Sequence, residues 1–276
     1  MLEVHRLVKQ YKNFRAVDDL TFTIQPGEIV ALLGPNGAGK TTAMRCIAGI
    51  LRPTDGAAGI NGFDVVRDQA RAKAGLAFVP EVPSLYELLT VEEHLKFVAM
   101  CFNTLPVYEQ KVDELLRRYA LLDKRHDLVA TLSKGMRQKL SVACALIHNA
   151  NVFLFDEPLI GIDPEGAREL KDEIIRTRNE GASVLISTHL LDTAERLCDR
   201  VIILQRGRKI AEGTLEQLRA MSGMHGRSLE DIFLALTHDG PISPSPANPL
   251  PPPLMKPPVE ITQAVPSSKT NAEDEG

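Results

Sequence analysis

The segment "GPNGAGKT", residues 34–41, constrains this chain more than any other stretch. It fits G-x-x-x-x-G-K-[ST], follows the apolar run "EIVALL" (28–33) and leads into the helix-like spacing of "TTAMRCIAGIL". Strand, glycine loop and helix in that order make a phosphate cradle. Glycines let backbone N–H groups curl around phosphate oxygens without a Cβ in the way, and the helix start adds a favourable dipole. Lys40 brings a cation to the β- and γ-phosphates, and Thr41 brings a hydroxyl to Mg²⁺. Gly34, Pro35, Asn36, Gly37, Ala38, Gly39, Lys40, Thr41 and Thr42 are therefore expected to hold the phosphates of a nucleotide together with Mg²⁺.

Two further runs end in chemical groups. "VFLFDE" (152–157) closes a buried strand with two acids. Asp156 is placed to hold Mg²⁺ through a water, and Glu157 to take a proton from an attacking water. "SVLISTH" (183–189) brings His189 to a strand end, where an imidazole can donate to a γ-phosphate. Ligands of open parallel sheets bind at the carboxyl ends of strands, so Gly34, Asp156 and His189 are expected to converge.

The remaining chain reads as a mixed α/β protein. "LEVHRLVKQY" and "AVDDLTFTIQ" alternate as strands around a turn at Lys12-Asn13. Residues 92–121 carry a helical period broken near Asn103–Pro106, and 134–148 another. Asp163 and Pro164 are suited to the N-cap and first turn of the next helix. "VIILQRGRKIAEG" predicts a hairpin turning at Arg206-Gly207, and "SLEDIFLALT" (228–237) a last amphipathic helix. Ten of the 18 prolines lie within 241–266, so residues 239–276 are expected to be a disordered tail outside a folded region of 1–238.

Composition narrows the function. With 44% hydrophobic and 25% charged residues the chain is of ordinary globular type. A net charge of −4 gives no general basic character, and nucleic acid is not expected as a partner. No apolar run approaches the roughly 20 residues that span a bilayer, and the N-terminus has no signal-peptide core, which predicts a cytoplasmic location. Cys46, Cys101, Cys144 and Cys198 are far apart and form no CxxC pair, as expected of free thiols.

Taken together, these residues resemble the ATP-binding subunits of ABC transporters. "LSKGMRQKL" (132–140) is similar to the family's LSGGQ signature, with Lys134 for the first glycine and Met136 for the glutamine. That form resembles the ABC-2 exporter-type subgroup. "GID" (161–163) matches the D-loop, His189 the switch histidine, and Tyr11 the aromatic residue that stacks on adenine, with Val17 near the ring. Leu159 stands where the family often has threonine. The resemblance implies a P-loop NTPase with a RecA-like core, an antiparallel β subdomain and an inserted α-helical lobe near 85–150. It also implies a head-to-tail dimer in which Ser133, Lys134 and Gly135 hold the ATP of a second copy, and it counts Asp163 of the D-loop among the nucleotide-binding residues. A separate integral membrane permease would then place the chain peripherally at the cytoplasmic face of the membrane. The competing reading is an ABC ATPase that acts as an ATP-driven interaction protein. A single GKT, no long insert before "FDE" and no paired cysteines disfavour it. A kinase or GTPase leaves "LSKGMRQ" and "STH" unexplained.

In "VPEVP" (79–83), Glu81 stands by position for the family's Q-loop glutamine. Glutamate keeps an oxygen ligand for Mg²⁺ but adds charge beside the γ-phosphate. Glu81 is thus expected to couple Mg²⁺ occupancy to the helical lobe, and "SLYELLT" after it to contact the membrane subunit.

Overall fold

The computed structural model describes residues 1–238, so the expected Pro-rich tail lies outside the described residues. Ten strands and nine α-helices are present there. The strands are β1 Leu2–Tyr11, β2 Phe14–Ile24, β3 Ile29–Leu33, β4 Asp55–Ile60, β5 Phe63–Asp64, β6 Leu76–Val79, β7 Val152–Asp156, β8 Ser183–Ser187, β9 Arg200–Gln205 and β10 Arg208–Gly213. The helices are α1 Lys40–Ile47, α2 Gln69–Ala74, α3 Val91–Cys101, α4 Leu105–Arg118, α5 Lys134–Ile147, α6 Pro164–Asn179, α7 Leu191–Leu197, α8 Leu215–Ser222 and α9 Leu229–His238.

A six-stranded sheet runs β10-β9-β3-β8-β7-β6. All its neighbours are parallel except the β9–β10 pair at one edge. Every residue of β3, β7 and β8 is buried, which is why these strands read as unbroken apolar runs. Along β7, Val152 and Leu154 face one core, whereas Phe153 and Phe155 face the other. The first core lies between this sheet and the four-stranded antiparallel sheet β2-β1-β4-β5, with Met44 and Ile47 of α1 between them. The second packs α3–α6 through Leu95, Leu115, Leu140 and Ile174. A third joins α7–α9 to the far side of β3 and β9.

Local chemistry sets the element ends. Arg206 and Gly207 both have positive φ, 48° and 81°, so the two-residue β9–β10 turn matches the strand twist. Thr90 and Glu93 form a capping box on α3, and Asp163 caps α6 ahead of Pro164. Each such cap contributes about 1 kcal/mol.

Candidate functional site

The sheet order decides the geometry. The chain after β3, β8, β7 and β6 carries, side by side, the glycine loop, His189, Asp156–Glu157 and Glu81. Val79 pairs with Phe155 at the last register position of β6 and β7, so Glu81 and Glu157 each follow just beyond the ends of two neighbouring parallel strands.

The glycine loop is held from behind. A Cβ on Gly34 would lie 2.5 Å from the Leu204 carbonyl oxygen, and one on Gly39 would lie 2.2 Å from that of Ala16. Gly39 also has φ 104°, so it needs glycine for both conformation and space. The Gly207 N–H donates to the Ala38 carbonyl at 2.9 Å, and the Asp18 N–H donates to that of Gly207 at 2.8 Å. The loop therefore leans on β2 and on the tip of the β9–β10 hairpin.

Lys40, at the start of α1, is buried, and its Nζ donates to the Gly34 carbonyl oxygen at 2.7 Å. The Glu157 carboxylate stands 3.9 Å away. Burial lowers the Lys40 pKa, and the charges of Glu157, Asp156 and Glu81 oppose that, in this order. Glu81 is exposed, yet its field reaches the lysine.

Asp156 and Glu157 are both buried. Thr41 Oγ1 donates to Asp156 Oδ1 at 3.4 Å, and the Ser187 hydroxyl donates to the same oxygen. The Glu157 N–H donates to both the Ser187 carbonyl oxygen, at 3.0 Å, and its Oγ, at 3.2 Å. These bonds hold Glu157 at φ 47°, in the left-handed region that non-glycine residues rarely occupy. Its Oε2 then lies 3.0 Å from His189 Nδ1. A carboxylate only accepts, so Nδ1 carries the hydrogen. One carboxylate thus sits between a buried cation and a half-exposed imidazole, an arrangement in which it can accept a proton.

Ser187 was not singled out by the sequence reading, although it fixes both acids. The available signal was the polar pair Ser187-Thr188 closing an otherwise apolar strand. Replacing Ser187 by alanine removes one bond to a charged oxygen and one to the strained backbone. Turnover is expected to fall about tenfold, with a raised Mg²⁺ requirement and little change in ATP affinity. A Mg²⁺ titration of the ATPase rate checks this, and an unchanged titration removes Ser187 from the site.

The other expected residues divide. Tyr11 ends β1 half-exposed, with Lys9 Nζ over its ring, 5.1 Å from the centroid. Val17 requires correction as a nucleotide contact. It is 0% exposed and packs inside the core beneath β1 and β2, so its side chain supports Tyr11's sheet and presents no surface to a ligand. Ser133 caps α5, its Oγ accepting from the Met136 N–H at 3.3 Å. Asp163 accepts from the Gly166 N–H at 2.9 Å. Among the described residues, no hydrogen bond or ion pair links Ser133, Lys134 or Gly135 to Lys40, Asp156 or Glu157. Lys134 instead lies over Gly161, its Nζ 3.0 Å from where a Cβ on that glycine would stand.

Fold and site define a P-loop ATPase with a RecA-like core, an antiparallel β subdomain and a helical lobe. A family model described as "ABC transporter" matches residues 17–160. The ABC-type transporter ATP-binding protein EcsA of Bacillus subtilis (strain 168) is 37% identical over 240 residues, covering 87% of this chain and 97% of that protein. The Nod factor export ATP-binding protein I of Burkholderia thailandensis is 38% identical over 214 residues, covering 77% and 70% respectively. A solved ATP binding subunit of an ABC transporter superposes with a TM-score of 0.83 at 39% identity, covering 86% of this chain and 99% of that one. The chain belongs to the ABC transporter family, as an ATP-binding subunit whose ATP hydrolysis drives transport.

Proposed function

We propose that this chain is the ATPase subunit of an export-type transporter, working at the cytoplasmic face of the membrane on a separate integral permease. The observation that carries the hydrolytic part is Glu157, buried between Lys40 Nζ at 3.9 Å and His189 Nδ1 at 3.0 Å. In this reading, the loop N–H groups of residues 34–39 take the phosphate oxygens, and Lys40 leaves the Gly34 carbonyl for the β- and γ-phosphates. Glu157 accepts a proton from the water that attacks the γ-phosphorus, as the bond to the β-phosphate oxygen breaks and ADP departs. His189 orients Glu157 and donates toward the γ-phosphate. Tyr11 stacks on the base.

Thr41 and Asp156 fit Mg²⁺. Their oxygens are 3.4 Å apart, both are hard donors, and this ion takes one or two protein oxygens alongside waters and phosphates. Held by these two residues, the ion would supply charge neutralisation and polarisation at the γ-phosphate.

Among the described residues Ser133, Lys134 and Gly135 have no hydrogen bond or ion pair to their own glycine loop, and they stand at the capped, positive end of the α5 dipole. This supports a head-to-tail dimer in which that end meets the ATP of a second copy. Export is supported by the signature form and by the name of the Nod factor export relative. The exposed side chains of Val82, Tyr86 and Leu88 give the permease an apolar contact next to Glu81. No helix among the described residues is long and apolar enough to cross a membrane.

The decisive experiment is purification of the tagged chain from detergent-solubilised membranes. One integral protein is expected to co-purify in fixed ratio and to raise the ATPase rate. Recovery without any integral protein would turn the reading toward an ATP-driven interaction protein.

A further inference from the structure

A second surface stands apart from the nucleotide. Ile50 follows α1, and Val66 precedes α2; they are 57% and 40% exposed. Their neighbours bring them together. The Gln69 amide donates to the Gly49 carbonyl at 3.4 Å, and a Cβ on Gly49 would meet the Val65 carbonyl at 3.2 Å and Lys73 Cε at 3.7 Å. The two segments that carry this pair also carry exposed basic side chains, Arg45 and Arg52 in and after α1, and Arg67, Arg71 and Lys73 in and before α2. Among the described residues none of these five forms an ion pair, although the chain as a whole has net charge −4. Of the nearby acids, Asp64 is occupied in accepting from the Val66 and Arg67 N–H groups, and exposed Asp68 precedes α2. Arg71 is spread over the Phe63 ring, 5.5 Å from its centroid, which keeps its charge at the surface.

Four arginines and a lysine without ion-pair partners, on the same two segments as exposed aliphatic side chains, match an anionic bilayer surface. Headgroups take the cations, and the apolar pair enters the headgroup–acyl boundary. We propose that Ile50 and Val66, with Arg45, Arg52, Arg67, Arg71 and Lys73, form a docking face for anionic lipid. The face would hold the subunit against the leaflet independently of its permease. This rests on the reading of the chain as a membrane-peripheral subunit, and it adds a lipid partner to that reading. An acidic protein segment is the competing occupant. The exposed branched aliphatic pair favours lipid, because an acidic peptide would leave it in water.

The test is co-sedimentation of the full chain with phosphatidylcholine vesicles, with and without phosphatidylglycerol. Sedimentation is expected only with phosphatidylglycerol, and it should weaken as salt is added. Each cation near an anionic surface contributes roughly fivefold, so the combined variant Arg67→Gln, Arg71→Gln, Lys73→Gln should bind about 100-fold more weakly. That variant should keep the wild-type ATPase rate in solution, which shows that it is folded. Ile50→Ser with Val66→Ser should weaken binding even at low salt. Equal binding of wild type and charge variant, equal sedimentation without phosphatidylglycerol, or no sedimentation at low salt would each overturn the proposal. Loss of permease co-purification in the charge variant without vesicle binding by wild type would assign the face to protein and also overturn it. Lys40→Ala should sediment like wild type, so a failure of the ATPase reading shows in nucleotide affinity and leaves the vesicle result separate.

Discussion

Glu157→Gln is expected to bind ATP within a few-fold of wild type while turnover falls by about 100- to 10,000-fold. Glutamine has the same shape, and its carbonyl oxygen still accepts from His189 Nδ1, now 3.0 Å from the carboxylate. The backbone bonds to Ser187 that fix φ at 47° do not involve the side chain, so the group stays aimed at the phosphates. What is lost is basicity, because an amide oxygen does not take up the proton of the attacking water. One negative charge near Lys40 is lost as well, which favours the phosphates slightly. Single-turnover hydrolysis and fluorescent-nucleotide binding separate the two effects. A near-normal turnover rate would remove Glu157 from the role of base.

Lys40→Ala is expected to weaken ATP binding by about 100-fold, the scale of losing charge-assisted hydrogen bonds in a buried site. The ammonium is the buried cation facing Asp156, Glu157 and Glu81, whose charges all act on it. Without it those carboxylates meet the triphosphate directly, and the Gly34 carbonyl loses its 2.7 Å partner. Equilibrium binding measures the loss, and thermal melting checks that the fold persists. Unchanged affinity would mean that residues 34–41 do not hold phosphate. Arginine at this position is not expected to rescue, because a planar fork does not replace a compact charge in a space bounded by Gly34 and Glu157.

The strands that carry the site were legible because burial on both faces writes a continuous apolar run, as in "IVALL" and "VFLF". The helix start at Asp163 was legible for a local reason, since a cap needs only its own first turn. β4, "DGAAGI", was missed. Its small residues carry no strand preference, and Gly56 is there for space, its Cβ position being 2.1 Å from the Arg6 carbonyl oxygen. α2 was missed because six residues hold too little of a helical period. Ser187 was passed over because its partners come from another strand, and no sequence period reports a bond between β7 and β8. Val17 was misassigned because motif order says nothing of which face a side chain takes. Asp19 at φ 55° and the irregular register of β1 with β2 shift the alternation there and turn Val17 inward.

The glycine loop that leans on the β9–β10 hairpin has a consequence for biosynthesis. The motif leaves the ribosome early, but the Gly207 N–H that braces Ala38, and the Leu204 carbonyl packed on Gly34, come from near the end of the described chain. A nascent chain therefore displays the complete phosphate-binding sequence long before it has a backing for it. Competence to hold nucleotide should arrive in one late step, when the hairpin docks, so that a stalled or truncated chain cannot consume ATP.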